Sequence, residues 1–140
     1  MQDFVHLHVH TQYSILDGQA SIPRLVDKAM ANGMRGIAVT DHGDMFGIKE
    51  FFNYVNKKNG GTNGEIKDLK KRIAALESGK EESESPEAEI AACKEQLEAA
   101  KKKLFKPIFG CEMYVARRRL EDKEGKPDQS GYHLVVLAKN

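Results

Sequence analysis

Apolar residues recur along this chain with two different periods, and the changes of period mark its elements. In the first ten residues Val5, Leu7 and Val9 alternate with Phe4, His6, His8 and His10. A period of two is that of a β-strand, so an opening strand is predicted with one apolar face and one crowded with imidazole. A polar turn over 14–18 follows, then Ser21 as N-cap and Pro23 in the first turn of a helix. There Ile22, Leu25, Val26, Ala29 and Met30 fall at i, i+3, i+4, i+7 and i+8, and Gly33 is placed to end the helix. The run GIAVT over 36–40 has the length and composition of a strand buried on both faces of a parallel sheet. A loop over 41–46 leads into a second helix, with Ile48, Phe51, Phe52 and Val55 on one stripe.

The character then changes. From Asn59-Gly60-Gly61 to about Lys103 the chain is rich in Glu, Lys and Ala and has no aromatics. Ile66, Leu69, Ile73 and Leu76 form one a/d seam, and Ile90, Cys93, Leu97, Ala100 and Leu104 a second. The polar stretch SGKEESESP separates them, with Ser85 as N-cap and Pro86 at the first helical position. Residues 62–104 are predicted to be an inserted antiparallel helical hairpin. Lys101, Lys102 and Lys103 at its end allow a docking or nucleic-acid role, but near-balanced charge favours a solvated spacer. Strands resume over 107–115 and, after a charged loop 117–131, over 132–138, the last again read as a buried run. The core order is β-α-β-α-(hairpin)-β-loop-β.

With 140 residues, 40% of them hydrophobic, and a net charge of +1, the chain is neither a disordered tail nor a bulk polycation. It has no apolar stretch near the roughly 20 residues needed to cross a bilayer and no signal-like N-terminus, so a cytoplasmic protein with no membrane partner is expected. Cys93 and Cys111 have no C-x-x-C spacing, so neither a disulfide framework nor a zinc ribbon is indicated.

Alternating histidines are costly to bury unless each is hydrogen-bonded, and neutral imidazole is a common metal ligand. Parallel α/β sheets gather ligands at the carboxyl edge of their strands. His10 ends the first strand, Asp17 lies in the loop after it, Asp41 and His42 end the second, and Glu112 lies in the far half of the third. Imidazole and carboxylate thus converge on one edge, a donor set that suits Zn, Mn or Fe. His6 lies one pleat deeper than His8 and is expected to support the site or belong to the core. Asp41 either ligates or orients a ligand by accepting an imidazole N–H, and orientation is favoured. His133 is awkward, because it starts its strand instead of ending it; on geometry a core or edge histidine is an equal reading. Thr11 and Ser14 read as turn and capping residues.

The segments HLHVHTQYSILDG, GIAVTDHGDMFG, KPIFGCEMYVA and YHLVVLAKN resemble the start of the PHP (polymerase and histidinol phosphatase) domain. The version they most resemble is the one at the N-terminus of the alpha subunit of bacterial DNA polymerase III. The resemblance covers most of the chain apart from the hairpin. It implies a distorted (β/α)7 barrel with up to three divalent metal ions, metal-dependent phosphoesterase or 3'-5' exonuclease chemistry, and DNA and other replicase subunits as partners. It places His8 and His10 in the HxH motif, Asp17 in the acidic turn after it, His42 in the TDH motif, Glu112 at the metal-bridging carboxylate and His133 at the histidine opening the fourth strand motif.

The nucleophile implied is a water activated by the metals, with no catalytic serine or cysteine. Relatives that lack ligands serve as silent scaffolds docking a proofreading subunit, and others are free-standing histidinol-phosphatase-like enzymes; the intact early ligands and the wording of the motifs argue against both. A β-α barrel takes on the order of 200 residues or more. The expectation is therefore a partial domain, incomplete in its metal cluster and weak or inactive alone, with a further His or Cys and a late Asp-x-His pair beyond Asn140.

Overall fold

The computed structural model describes residues 4–80, 84–119, 121–126 and 131–139. Parts of the polar break (81–83) and of the charged loop (120, 127–130) lie outside the described residues. The chain divides into two units, 1–55 with 106–140, and 56–105.

In the first unit, helix α1 (Ile22–Ala31) buries Ile22, Val26 and Ala29. Ser21 occupies the N-cap with extended backbone but makes no side-chain capping bond, and Gly33 ends the helix with φ 74°. Strand β1 (Gly36–Val39) is buried at all four positions. Helix α2 (Ile48–Lys58) places Phe51 and Val55 in the core, while Phe52 remains 43% exposed. Strand β2 (Lys106–Val115) pairs parallel with β1, with Gly36 opposite Lys106 and Val39 opposite Phe109. Strand β3 (Tyr132–Leu137) pairs antiparallel with β2, giving the sheet order β1-β2-β3.

Two strand expectations are corrected. Residues 4–10 form no regular strand. The Ala38 N–H donates to the His6 carbonyl and the Thr40 N–H to the Val9 carbonyl, both at 2.9 Å. A two-residue step along β1 is thus matched by a three-residue step in the opening segment, and one extra residue breaks the period of two, as in a β-bulge. The last strand is neither parallel nor buried: it runs antiparallel and all six of its residues are exposed. An apolar run of this length reads as a buried strand only if both faces are covered, and among the described residues nothing covers them.

The second unit contains helices α3 (Gly60–Glu77) and α4 (Pro86–Lys103). Ile73, Leu76, Cys93 and Ala100, four of the seam residues, are buried. Arg72 pairs with Glu89 and Glu77 with Lys94, each at 3.0 Å. At the other end the Asn59 side chain donates to the Phe105 carbonyl (2.8 Å) and accepts the Phe105 N–H (3.1 Å). The glycine pair at which the character of the chain changes is helical. Asn59 has φ −79° and ψ −3°, and its carbonyl accepts the Asn63 N–H at 2.8 Å, so the turn continues through Gly60 and Gly61.

Candidate metal centre

The site lies where β1 and β2 run out. Beyond Val39 the register continues, so that His42 lies opposite Glu112 in an isolated parallel bridge. The Glu112 N–H donates to the Asp41 carbonyl (3.1 Å) and the Gly43 N–H to the Glu112 carbonyl (2.8 Å). Gly43 reaches this position with φ +70°, and a Cβ there would meet the Tyr114 ring. Antiparallel pairing resolves the oddity of His133. Its partner is Tyr114, near the end of β2, so a residue that starts β3 arrives at the same edge as Glu112.

The loop after the opening segment folds over Ser14, whose carbonyl accepts the Asp17 N–H (3.1 Å) and the Gly18 N–H (2.7 Å). Gly18 is required there because a Cβ would collide with the Thr11 carbonyl. Asp17 is thereby delivered beside His42.

Six side chains meet. Glu112 Oε2 lies 2.6 Å from His10 Nε2, 3.7 Å from His8 Nε2 and 4.0 Å from His42 Nδ1. Its other oxygen lies 2.8 Å from His133 Nδ1. Asp17 lies 3.1 Å from His10 Nδ1 and 2.8 Å from His42 Nδ1. Three overlapping groups, His8–His10–Glu112, His10–Asp17–His42 and His42–Glu112–His133, each bring three ligand atoms within 4.8 Å of one another. His6 belongs to none of them; it is exposed and edge-on to Phe4 at 4.7 Å. The extra residue in the opening segment separates its phase from that of His8 and His10.

Hydrogen bonding to His42 holds the Asp17 carboxyl below its usual range, and the same bond raises His42. Burial pushes the Glu112 carboxyl up, but its bond with His10 and the nearby His10, His42 and His133 rings outweigh this and leave it lowered.

His42 Nε2 is buried and has no hydrogen-bond partner among the described residues. A buried orphan nitrogen costs on the order of 1–3 kcal/mol unless something meets it. With Nδ1 engaged by Asp17, that nitrogen has the lone pair a metal ion takes, and imidazoles with carboxylates suit divalent transition ions. The donor set fits a metal centre. Beside it opens a cleft of about 280 Å³ bordered by Asp17, His42, Asp44, Tyr114, Ile15 and Leu16.

A family model for the PHP domain matches residues 6–140. The chain belongs to the PHP domain family. Among similar proteins, "DNA polymerase III subunit alpha" of Treponema pallidum is 33% identical over 98% of this chain, and that of Borreliella burgdorferi 31% identical over the same share. The Mycobacterium tuberculosis protein of that name is 50% identical over 39% of the chain. This PHP chain spans about 8% of the length of the first two relatives. No helix among the described residues is long and apolar enough to cross a membrane.

Around this PHP site the structure revises the part given to Asp41 and adds three hydroxyls. Among the described residues no imidazole N–H reaches the Asp41 carboxylate. Its carboxylate takes the Thr11 N–H (2.6 Å), the Thr11 hydroxyl (2.9 Å) and the Ser14 hydroxyl (2.9 Å). Ser14 Oγ in turn accepts the His42 N–H at 3.0 Å, so Asp41 reaches His42 through its backbone. Thr11 and Ser14 are thus buried members of the site's support, not only turn residues. Thr40 lies 2.9 Å from His8 Nδ1. The available signal was position: hydroxyls at the end of a buried run or next to a ligand motif must find partners.

Proposed function

We propose that this chain is the N-terminal part of the PHP domain of a bacterial replicative polymerase subunit, DNA polymerase III alpha. Its site would serve metal-dependent phosphodiester hydrolysis, as a 3'-5' exonuclease acting on DNA, in a DNA-directed DNA polymerase with other replicase subunits. The observation that carries this reading is the meeting of His8, His10, Asp17, His42, Glu112 and His133 in three overlapping groups of possible ligands, together with a buried, unpartnered His42 Nε2. The family match and the polymerase relatives support the setting. The finer architecture we propose is the opening portion of a (β/α)7 barrel, with residues 62–104 as an inserted antiparallel hairpin acting as a spacer.

In this reading the six side chains would hold Zn, Mn or Fe ions. Bound there, the ions supply Lewis-acid polarisation of a phosphoryl group and of water. The chain's own contributions are positional. Asp17 holds the His42 ring, Asp41 and Ser14 hold the His42 backbone, and the two carboxylates offset positive charge at the site.

Elemental mass spectrometry of the purified chain tests the ligand set. His8→Ala with His10→Ala is expected to abolish Zn or Mn uptake, and unchanged metal content would sink the assignment. Release of nucleotide from 3'-labelled single-stranded DNA by the full-length polymerase polypeptide, lost in the same variant, tests the activity. No release from the wild type would favour a silent scaffold.

A further inference from the structure

We propose that Thr40 is a positioning residue that holds His8 in the tautomer with Nδ1 protonated, leaving Nε2 bare and facing the cluster. The inference deepens the metal reading above and rests on it for its consequence, though not for its geometry.

The argument is a count of hydrogen-bonding capacity around one buried hydroxyl. Thr40 is 0% exposed. Its Oγ1 has three neighbours: the Val9 N–H at 2.9 Å, the Val9 carbonyl at 3.2 Å and His8 Nδ1 at 2.9 Å. A hydroxyl has one proton to give and two lone pairs. If its proton goes to the Val9 carbonyl, one lone pair takes the Val9 N–H and the other takes a proton on His8 Nδ1, so all three capacities are used. His8 Nε2 is then unprotonated and lies 3.7 Å from Glu112 Oε2.

The opposite tautomer satisfies less. The hydroxyl would donate to Nδ1 and keep an empty lone pair, and the Nε2 proton would point at a carboxylate beyond hydrogen-bond reach. The extra residue in the opening segment makes this arrangement. It shifts Val9 to the carbonyl that Thr40 N–H binds, at 2.9 Å, and so brings both Val9 backbone groups and the adjacent His8 ring to the same threonine. His42 follows the same logic with a different partner: Nδ1 faces Asp17 and Nε2 is left bare.

Nitrogen-15 NMR of the metal-free chain, with the His8 signals assigned by their loss in His8→Gln, reads the tautomer directly. The expected wild-type result is a protonated Nδ1 and a bare Nε2. Thr40→Val, which keeps shape but loses the hydroxyl, should lose that preference and weaken Zn or Mn binding by about 10- to 100-fold. Thr40→Ser should restore both. A wild-type His8 protonated at Nε2 overturns the proposal, as does Thr40→Val with unaltered tautomer and affinity. If Thr40→Val does not fold, the wild-type and Thr40→Ser tautomers still decide. A wild type that binds neither metal overturns the metal reading, while the tautomer continues to test Thr40.

Discussion

Asp41 and Glu112 are both buried carboxylates, 1% and 8% exposed, on neighbouring strand ends, yet their surroundings differ in kind. Asp41 is enclosed by a backbone N–H and two hydroxyls that all donate to it. Glu112 faces His10 and His133 directly, with His8 and His42 at the margin. Groups of the first type fix a loop, because each donor is used up. Groups of the second type can exchange their partners for a metal ion, because every imidazole carries a nitrogen lone pair when neutral. Burial of a carboxylate alone therefore does not identify a ligand; the chemistry of its partners does.

The largest effect that separates the two is on metal binding. Glu112→Gln keeps the shape of the site but is expected to lose more than about 100-fold in Zn or Mn affinity by calorimetry, and an unchanged affinity would remove Glu112 from the centre. Asp41→Ala should act on folding instead. It strands three buried donors and is expected to cost about 3 kcal/mol in urea denaturation of the metal-free chain, more than Glu112→Gln costs there. Equal losses would erase the distinction.

Ser14→Ala removes one donor to Asp41 and the acceptor of the His42 N–H, and about 1–2 kcal/mol is expected by the same measurement. The smallest effect is in pH. The folded Asp17 value is depressed below 3.8, so its contribution is present above that pH and is lost as pH falls through the lowered value. The folded His42 value is raised above 6.5, so its contribution is present below that pH and is lost as pH rises through the raised value. In chelator, the pair should stabilise the metal-free chain most between about pH 4 and 6.5. Asp17→Asn should flatten both flanks of the melting-temperature profile, and an unaltered profile would contradict the pairing.

Much of this was legible from local periodicity. Helices α1 and α2, the buried run of β1 and the seams of α3 and α4 each follow from side-chain spacing, which is a property of one segment. His10, Asp17, His42 and Glu112 were legible because strand ends collect loops at one edge, with His8 one pleat behind His10; His133 was placed with them only by the family resemblance. What was not legible depends on pairing between distant segments. The extra residue beside β1 is visible only in which carbonyl Thr40 chooses, and the direction of β3 only in its register with β2. The same limit hid the Asp41 network, since Thr11 and Ser14 meet it across about 30 residues of sequence.

The reversed direction of β3 has a consequence for how the molecule can vary. His133 owes its position to its pairing with Tyr114, not to the path of the chain between them. Strand β2 ends and strand β3 begins at the edge that carries the cluster, so residues 116–131 join two points already held together. Doubling such a connection costs only about 0.6 kcal/mol in closure entropy. This is therefore the place where new sequence can be grafted beside the cluster while Glu112 and His133 stay in register.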